Sequence, residues 1–309
     1  MRPRFSIVVP YFDRPGLIGA CLESVCAQDF EDWELVLVDD ASMLALGNEV
    51  AIPADNRIRV LRNTTRRGAG ASRNIGAAAA SGAFIHFLDS DDRLVAGALG
   101  KLDALATCGH AILVGAWEDI GPNGTRTCRR PARPYCDPLA NCVADGWPTG
   151  AVSLRADICP RVSEARMPWE MAEAFLAACA AAGSVGHTAG AVAEIAQLSP
   201  LSLTLAHDHF EPLKMGLFWI EMRHRFATTE DRRSAFDKRI FDAALSLRHQ
   251  GRRDASIILL AEIDPRGLSD YPWHRLLEPA WFASKMGFDL GLGLHDTLSR
   301  LKRACRRHA

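Results

Sequence analysis

Asp89-Ser90-Asp91-Asp92 crowds three carboxylates into four positions at the end of an apolar run, Ala83 to Leu88. Crowded acids repel, so the arrangement costs free energy unless something compensates it. A hard divalent cation such as Mg²⁺ does this, taking one or two carboxylates plus phosphate oxygens of a substrate. The Asp-Ser-Asp-Asp string is therefore a candidate metal site, with a solvated turn as the alternative reading. Two other strand ends carry matching chemistry. In Val9-Pro10-Tyr11, Pro10 fixes the exit of the chain and Tyr11 offers a ring that could stack on a base. In Val38-Asp39-Asp40, a carboxylate could accept from a base N–H or a ribose hydroxyl. Between Arg66 and Gly76, Gly68 and Gly70 allow close backbone approach to a ligand, while Arg73 and Asn74 add side-chain donors. That segment lacks the third glycine of a dinucleotide fingerprint, which argues against an NAD enzyme.

These groups need a scaffold that brings strand ends together. Apolar runs at Phe5–Pro10, Glu34–Val38, Ile58–Leu61 and Ala83–Leu88 read as strands, followed by Ala111–Ala116. Helical patterns lie between them at Leu17–Gln28, Ala69–Ser81 and Val95–Cys108. Such alternation predicts an α/β fold with a mostly parallel sheet flanked by helices, and open sheets bind ligands at the carboxyl ends of their strands. Residues 121–148 are rich in Pro, Gly, Cys and Arg and read as a long loop. A strand at Gly150–Arg155, a helix at Trp169–Ala182 and a strand at Val185–Ile195 follow. Beyond Pro200, helices are expected near 211–227, 230–249, 254–263 and 274–287, with Leu213, Leu217 and Ile220 forming an apolar face. The expected division is a domain over 1–204, with halves 1–120 and 121–204, and a helical C-terminal region over 205–309.

Composition excludes several classes. The chain has 309 residues, 48% hydrophobic and 24% charged, with a net charge of −1, so no global field points to nucleic acid. Nine cysteines without a Cys-x-x-Cys pair suit a reducing cytoplasm better than a disulfide framework, and the start of the chain reads as a strand rather than a signal peptide. Ala174 to Ala193 holds no charged residue. Its Ala and Gly content predicts a buried helix, a turn at Gly183 and a strand rather than a membrane span. A final helix places Leu294, Leu298, Leu301 and Cys305 beside Arg300, Lys302, Arg303, Arg306 and Arg307. It reads as a docked helix with a solvated basic face, or alternatively as a peripheral contact with an anionic membrane surface.

The chain resembles the family 2 glycosyltransferases of the GT-A fold. The resemblance rests on Ser6-Ile7-Val8-Val9-Pro10-Tyr11, Cys21-Leu22-Glu23-Ser24-Val25, Trp33 to Ser42, Arg73-Asn74-Ile75-Gly76 and Phe87 to Asp92. It is specific over residues 5–92, weaker to about Ile195, and does not reach the C-terminal third. It implies a nucleotide-sugar donor, most often a UDP-sugar. Tyr11 and Asp40 would hold the base and Asp89 the ribose side, with Pro10, Asp39, Asn74 and Ser90 around them. Asp91, with Asp89, would ligate Mn²⁺ or Mg²⁺ on the diphosphate, and Arg73 would assist. The family reaction inverts the anomeric centre in one displacement and needs a base for the acceptor hydroxyl. The usual base is an Asp, and Met171 stands at its place; Glu170 and Glu173 are the substitutes at hand. Leu198 stands near an expected His, for which His207 or His209 are the replacements. Transfer of a single sugar to a glycan or lipid-linked acceptor, in surface-polysaccharide assembly, is the implied setting. The rival is a nucleotide-sugar-binding protein of the same fold with little or no turnover. A nucleotidyltransferase would carry a Gly-rich basic loop after the first strand, and Pro10 to Pro15 is not one.

Overall fold

The computed structural model describes residues 2–164, 169–182, 184–196 and 211–263. The chain divides into two compact units, Met1–Glu211 and Pro212–Ala309.

The first unit is built on one sheet. Strands β1 (Phe5–Tyr11), β2 (Trp33–Asp39), β3 (Ile58–Arg62) and β4 (Phe84–Phe87) pair in parallel, in the order β3-β2-β1-β4. β1, β2 and β4 are buried along their whole length, as expected of strands covered on both faces. Short β5 (Arg93–Leu94) follows the acids. Then come β6 (Ile112–Ile120), β7 (Arg126–Arg129), β8 (Val152–Arg155) and β9 (Val185–Ala196). β8 lies between β4 and β6 and runs antiparallel to both. β6 pairs β9 in parallel, while β5 and β7 add antiparallel edges on β9 and β6. The parallel character expected of the sheet thus belongs to its first half, and the complete sheet is mixed. The reason is connective: the turn between β6 and β7 reverses the chain, and the connection through α5 brings β8 in along the direction of β7, antiparallel to β4 and β6.

Helices α1 (Pro15–Cys26), α2 (Leu46–Glu49), α3 (Ala69–Ala79), α4 (Ala98–Thr107), α5 (Pro138–Asp145) and α6 (Glu170–Ala181) complete this unit. Alternate residues of β1, Phe5, Ile7, Val9 and Tyr11, point into a core shared with Ile18, Leu22 and Val25 of α1 and Leu99 and Leu102 of α4. On the opposite face α3 lies directly on the sheet. A Cβ at Gly76 would meet Val8 Cγ1 at 2.3 Å and Val38 Cγ2 at 3.2 Å, so only glycine permits that approach.

The expected loop at 121–148 contains β7 and α5. The signals for α5 were local: Asp137 caps it by accepting from Ala140 N–H at 2.9 Å, Pro138 occupies its first turn, and Gly146 ends it at φ 63°. The uncharged stretch from Ala174 divides into α6 and β9, and Gly183 lies outside the described residues. No described helix is long and apolar enough to cross a membrane. The described cysteines are all free thiols.

The second unit contains α7 (Pro212–Phe226), α8 (Glu230–His249) and α9 (Arg253–Ala261). The expected face of α7 needs correction, because Leu217 is 49% exposed while Gly216, Trp219 and Met222 are buried. Gly216 is the contact point with α9, where a Cβ would lie 2.3 Å from Leu259 Cδ1. Hydropathy gives glycine no weight as a packing residue, so the reading chose the wrong side. The expected helix at 274–287, the basic terminal helix, Leu198, His207 and His209 lie outside the described residues.

Candidate active site at the strand ends

The three acids part company once folded. Asp92 N–H donates to Asp89 O at 3.0 Å, closing a tight turn. Asp92 is buried, and its Oδ1 accepts from Ala196 N–H at 2.8 Å, tying the turn to β9. Asp91 meets Arg14 Nη1 through Oδ2 at 3.3 Å. Asp89 is the most open of the three and accepts from Arg73 Nη2 at 2.5 Å. Ser90 is buried between them. Burial, and then the charge of Asp89, raise the Asp91 carboxyl above its ordinary range, with Arg14 opposing. Burial and both neighbouring acids raise Asp92 further.

That electrostatic debt bears on a divalent cation. Among the described residues no three His, Cys, Asp or Glu side chains converge as a complete metal cage. A substrate-bridging cation does not need one, since phosphate and water supply most of its ligands. Asp91 and Asp89 offer hard oxygens, and their mutual repulsion is what a cation would relieve, so the donor set fits Mn²⁺ or Mg²⁺.

Arg73 joins this edge to the second half of the unit. It projects from α3, is buried, and donates to Asp89 through Nη2 and to Glu170 through Nη1. Burial opposes its charge, but the two carboxylates together raise its pKa and hold it cationic. Glu170 opens α6 and is 9% exposed. Burial raises its carboxyl to about 7; Arg73 opposes that rise and Asp89 adds to it. Met171 is also buried, and Glu173, one turn on, is more exposed. Of the two acids expected at this helix start, Glu170 is the one brought to the strand-end acids.

Other expected donor residues are engaged by their own chain. Asp39 Oδ1 accepts from Ser42 N–H at 2.9 Å, and its Oδ2 accepts from Leu46 N–H and from Arg62 Nη1 at 2.7 Å. Asp40 accepts from Asn63 Nδ2, Arg67 N–H and Gly68 N–H at 2.7–2.8 Å. Both carboxylates therefore organise loops of their own chain. Tyr11 is 1% exposed, and its hydroxyl accepts from Arg14 N–H at 3.2 Å. A ring so enclosed presents no face for stacking. Pro10 is likewise buried in β1 opposite Val38. Asn74 turns away from the acids and pairs with the backbone of Val162, Nδ2 donating to O at 2.9 Å and Oδ1 accepting from N–H at 2.8 Å.

Sequence reasoning missed two groups. Arg14, beside Asp91, was signalled only by its place before Pro15 at a helix start. Phe12, half-buried with the Arg66 guanidinium 3.9 Å from its ring centre, is an aromatic next to Tyr11 that keeps some exposure. The backbone on either side is tight: Asp13 and Ala41 take φ of 44° and 60°, conformations side chains rarely adopt. Asp13 N–H bonds Ser42 Oγ and Met43 N–H bonds Asp13 Oδ1, so the loops after β1 and β2 hold each other.

Comparisons with known proteins bear on the family and the fold. The family model described as Glycosyl transferase family 2 matches residues 6–151. A Campylobacter jejuni GalNAc(5)-diNAcBac-PP-undecaprenol beta-1,3-glucosyltransferase is 36% identical over 116 residues, 37% of this chain and 38% of that protein. The Escherichia coli UDP-Glc:alpha-D-GlcNAc-diphosphoundecaprenol beta-1,3-glucosyltransferase WfgD is 39% identical over 119 residues, 38% of this chain and 47% of that protein. The matched segments thus span less than half of either relative. Among solved structures, Staphylococcus aureus TarS 1–349 superposes with a TM-score of 0.66 at 18% identity, over 94% of this chain and 89% of that one. At this identity the likeness establishes the fold, an α/β fold similar to GT-A glycosyltransferases. TarS is also known in complex with UDP-GlcNAc.

Proposed function

We propose, from the match of residues 6–151 to the glycosyl transferase family 2 model, that this chain transfers a single sugar from a nucleotide-sugar donor to an acceptor hydroxyl, with inversion. The observation that carries this reading is the Asp89–Arg73–Glu170 chain of contacts, in which one guanidinium ties a strand-end acid to a raised acid on α6. A base is most effective when its pKa lies near the working pH, and Glu170 is raised to about 7. Its Oε1 is held by Arg73, which leaves Oε2 to take the acceptor proton. The freed oxygen attacks the anomeric carbon as the bond to the nucleoside diphosphate breaks on the opposite face. A divalent cation on Asp91 and Asp89, when bound, would stabilise charge on the departing diphosphate. Arg73 keeps the base oriented, and Arg14 adds positive charge beside Asp91.

A UDP-sugar is the donor favoured by the UDP-glucose substrate for which the E. coli relative is named and by the UDP-GlcNAc complex of TarS. Both curated relatives are named for undecaprenol-linked substrates, so the proposed acceptor is a glycan carried on a lipid diphosphate. The proposed setting for such an acceptor is the cytoplasmic membrane surface, in polysaccharide or glycoconjugate assembly.

The test is UDP release from a panel of UDP-sugars with Mn²⁺ and lipid-diphosphate acceptors, alongside UDP affinity by calorimetry. Glu170→Gln should lose at least 100-fold in turnover and keep its UDP affinity, in line with removal of a general base. Full turnover in that variant would rule out Glu170 and redirect attention to Glu173. UDP binding without turnover in the unaltered protein, across acceptors, would favour the binding-protein reading, which Met171 at the expected acid position supports.

A further inference from the structure

Gly70, Arg73 and Asn74 stand at spacing i, i+3, i+4 on α3 and so share one face of the helix. Between them they meet Val162, Ser163 and Glu170, the first residue of α6. A Cβ at Gly70 would lie 2.1 Å from the Ser163 carbonyl oxygen and 3.4 Å from Glu170 Cδ, so glycine admits both groups against the helix. Arg73 holds the Glu170 carboxylate. Asn74 uses its amide as a peptide would, donating to Val162 O at 2.9 Å and accepting from Val162 N–H at 2.8 Å. Glu164 strengthens the seam by accepting from Asn74 Nδ2 at 3.4 Å and Arg67 Nη2 at 3.5 Å, and by pairing with Arg161.

We propose that Asn74 is a positioning residue for Glu170: its amide pins residues 162–164 to α3, which sets the start of α6 so that Glu170 meets Arg73. This rests on Glu170 being the base. It replaces a donor-binding role for Asn74, whose amide is committed to Val162 on both its oxygen and its nitrogen. The amide pair is worth having because a two-point contact fixes direction as well as distance, and a base misplaced by about 1 Å can cost about 100-fold in rate.

The test combines three readings on the full chain with Asn74→Leu, which removes both bonds at similar volume. The expected result is an unchanged dissociation constant for UDP with Mn²⁺, a kcat at least tenfold lower, and faster alkylation of Cys159. Cys159 lies three residues before Val162, its thiol raised to about 11 by burial, and Cys108, Cys128 and Cys136 are exposed and serve as internal rate standards by peptide mass spectrometry. Asn74→Asp is the milder second variant: it retains the acceptor for Val162 N–H, repels the Val162 carbonyl, and should give a smaller change in the same direction. A tenfold weaker UDP affinity with unchanged Cys159 reactivity would overturn the proposal and return Asn74 to the donor pocket. If the unaltered protein shows no turnover at all, the transferase reading fails, while UDP affinity and Cys159 reactivity still decide whether Asn74 pins the segment.

Discussion

Replacing Arg73 by Met tests how far the proposed base depends on one guanidinium. Burial favours protonation of Glu170, and Arg73, in direct contact with that carboxylate, is the charge that opposes it. A unit charge pair at about 4 Å in an effective dielectric of about 20 is worth about 4 kcal/mol, equivalent to about 3 pKa units. Water entering the vacated space recovers part of this, so a rise of roughly 1–2 units above 7 is expected. The base must be ionised to act, so the ascending limb of the rate profile moves up by the same interval. At pH 7 the rate should fall about tenfold, and it should recover substantially by about pH 9. Arg73→Lys keeps a positive charge and should leave the limb near that of the unaltered protein. The assay is nucleoside diphosphate release measured from pH 5.5 to 9.5 for the three proteins. Removing one partner of a buried pair costs about 3–5 kcal/mol, so Arg73→Met should also melt lower, and more so at pH 8 than at pH 5, where Glu170 is protonated. A rate profile for Arg73→Met superimposable on that of the parent would refute the argument that Arg73 tunes Glu170.

Glu170 has a stability signature of its own. Its folded-state pKa lies above the ordinary value of 4.5, so its contribution to stability is complete below about pH 4.5 and is lost as pH rises through about 7. Glu170→Gln should therefore flatten the fall in Tm across that window, and an unchanged slope would contradict the raised pKa. Gly76→Ala drives a methyl to 2.3 Å from Val8 Cγ1 and should destabilise the fold by about 1–3 kcal/mol in urea titration, with a wild-type Cm counting against the close contact of α3 with the sheet. Arg14→Gln removes the cation beside Asp91. Mn²⁺ alone, followed by electron paramagnetic resonance, should bind several-fold tighter to that variant, whereas UDP should bind more weakly for want of a positive neighbour; movement of both affinities in the same direction would discount this charge balance.

The strands were readable because each carries its signal locally. Val8, Val36 and Phe87 lie in runs apolar enough to be buried on both faces, and the acids follow directly in sequence. What the sequence could not convey was how carboxylates divide their labour. Asp39 and Asp40 look identical to Asp89 and Asp91 in one dimension, yet they are bonded by loops that return 20 to 30 residues later. Asn74 was legible as a donor, but its partner Val162 is 88 residues away. Glu170 was reachable only as one of two acids near a helix start, and burial against Arg73 separates it from Glu173. The mixed sheet was hidden for a similar reason, because strand direction depends on connections and not on composition.

The place of β8 has a consequence for dissection of the protein. This four-residue strand enters the sheet between β4 and β6, and its residues are 65 or more positions beyond their partners in β4. A fragment ending at residue 120 would contain the strand-end acids and β1, but β4 would lose β8 on its other side and expose an unpaired apolar edge, a template for aggregation. The first half should therefore not survive as an autonomous mini-domain, and the β4 amides that do not bond the β1 side, unlike those of Ala83, Phe84 and Leu88, should acquire protection from exchange late, after the distant closure that delivers β8. The acids depend for their setting on a stretch of chain made well after them, so a ribosome-tethered nascent chain should stay incompetent for nucleotide until residue 155 has emerged.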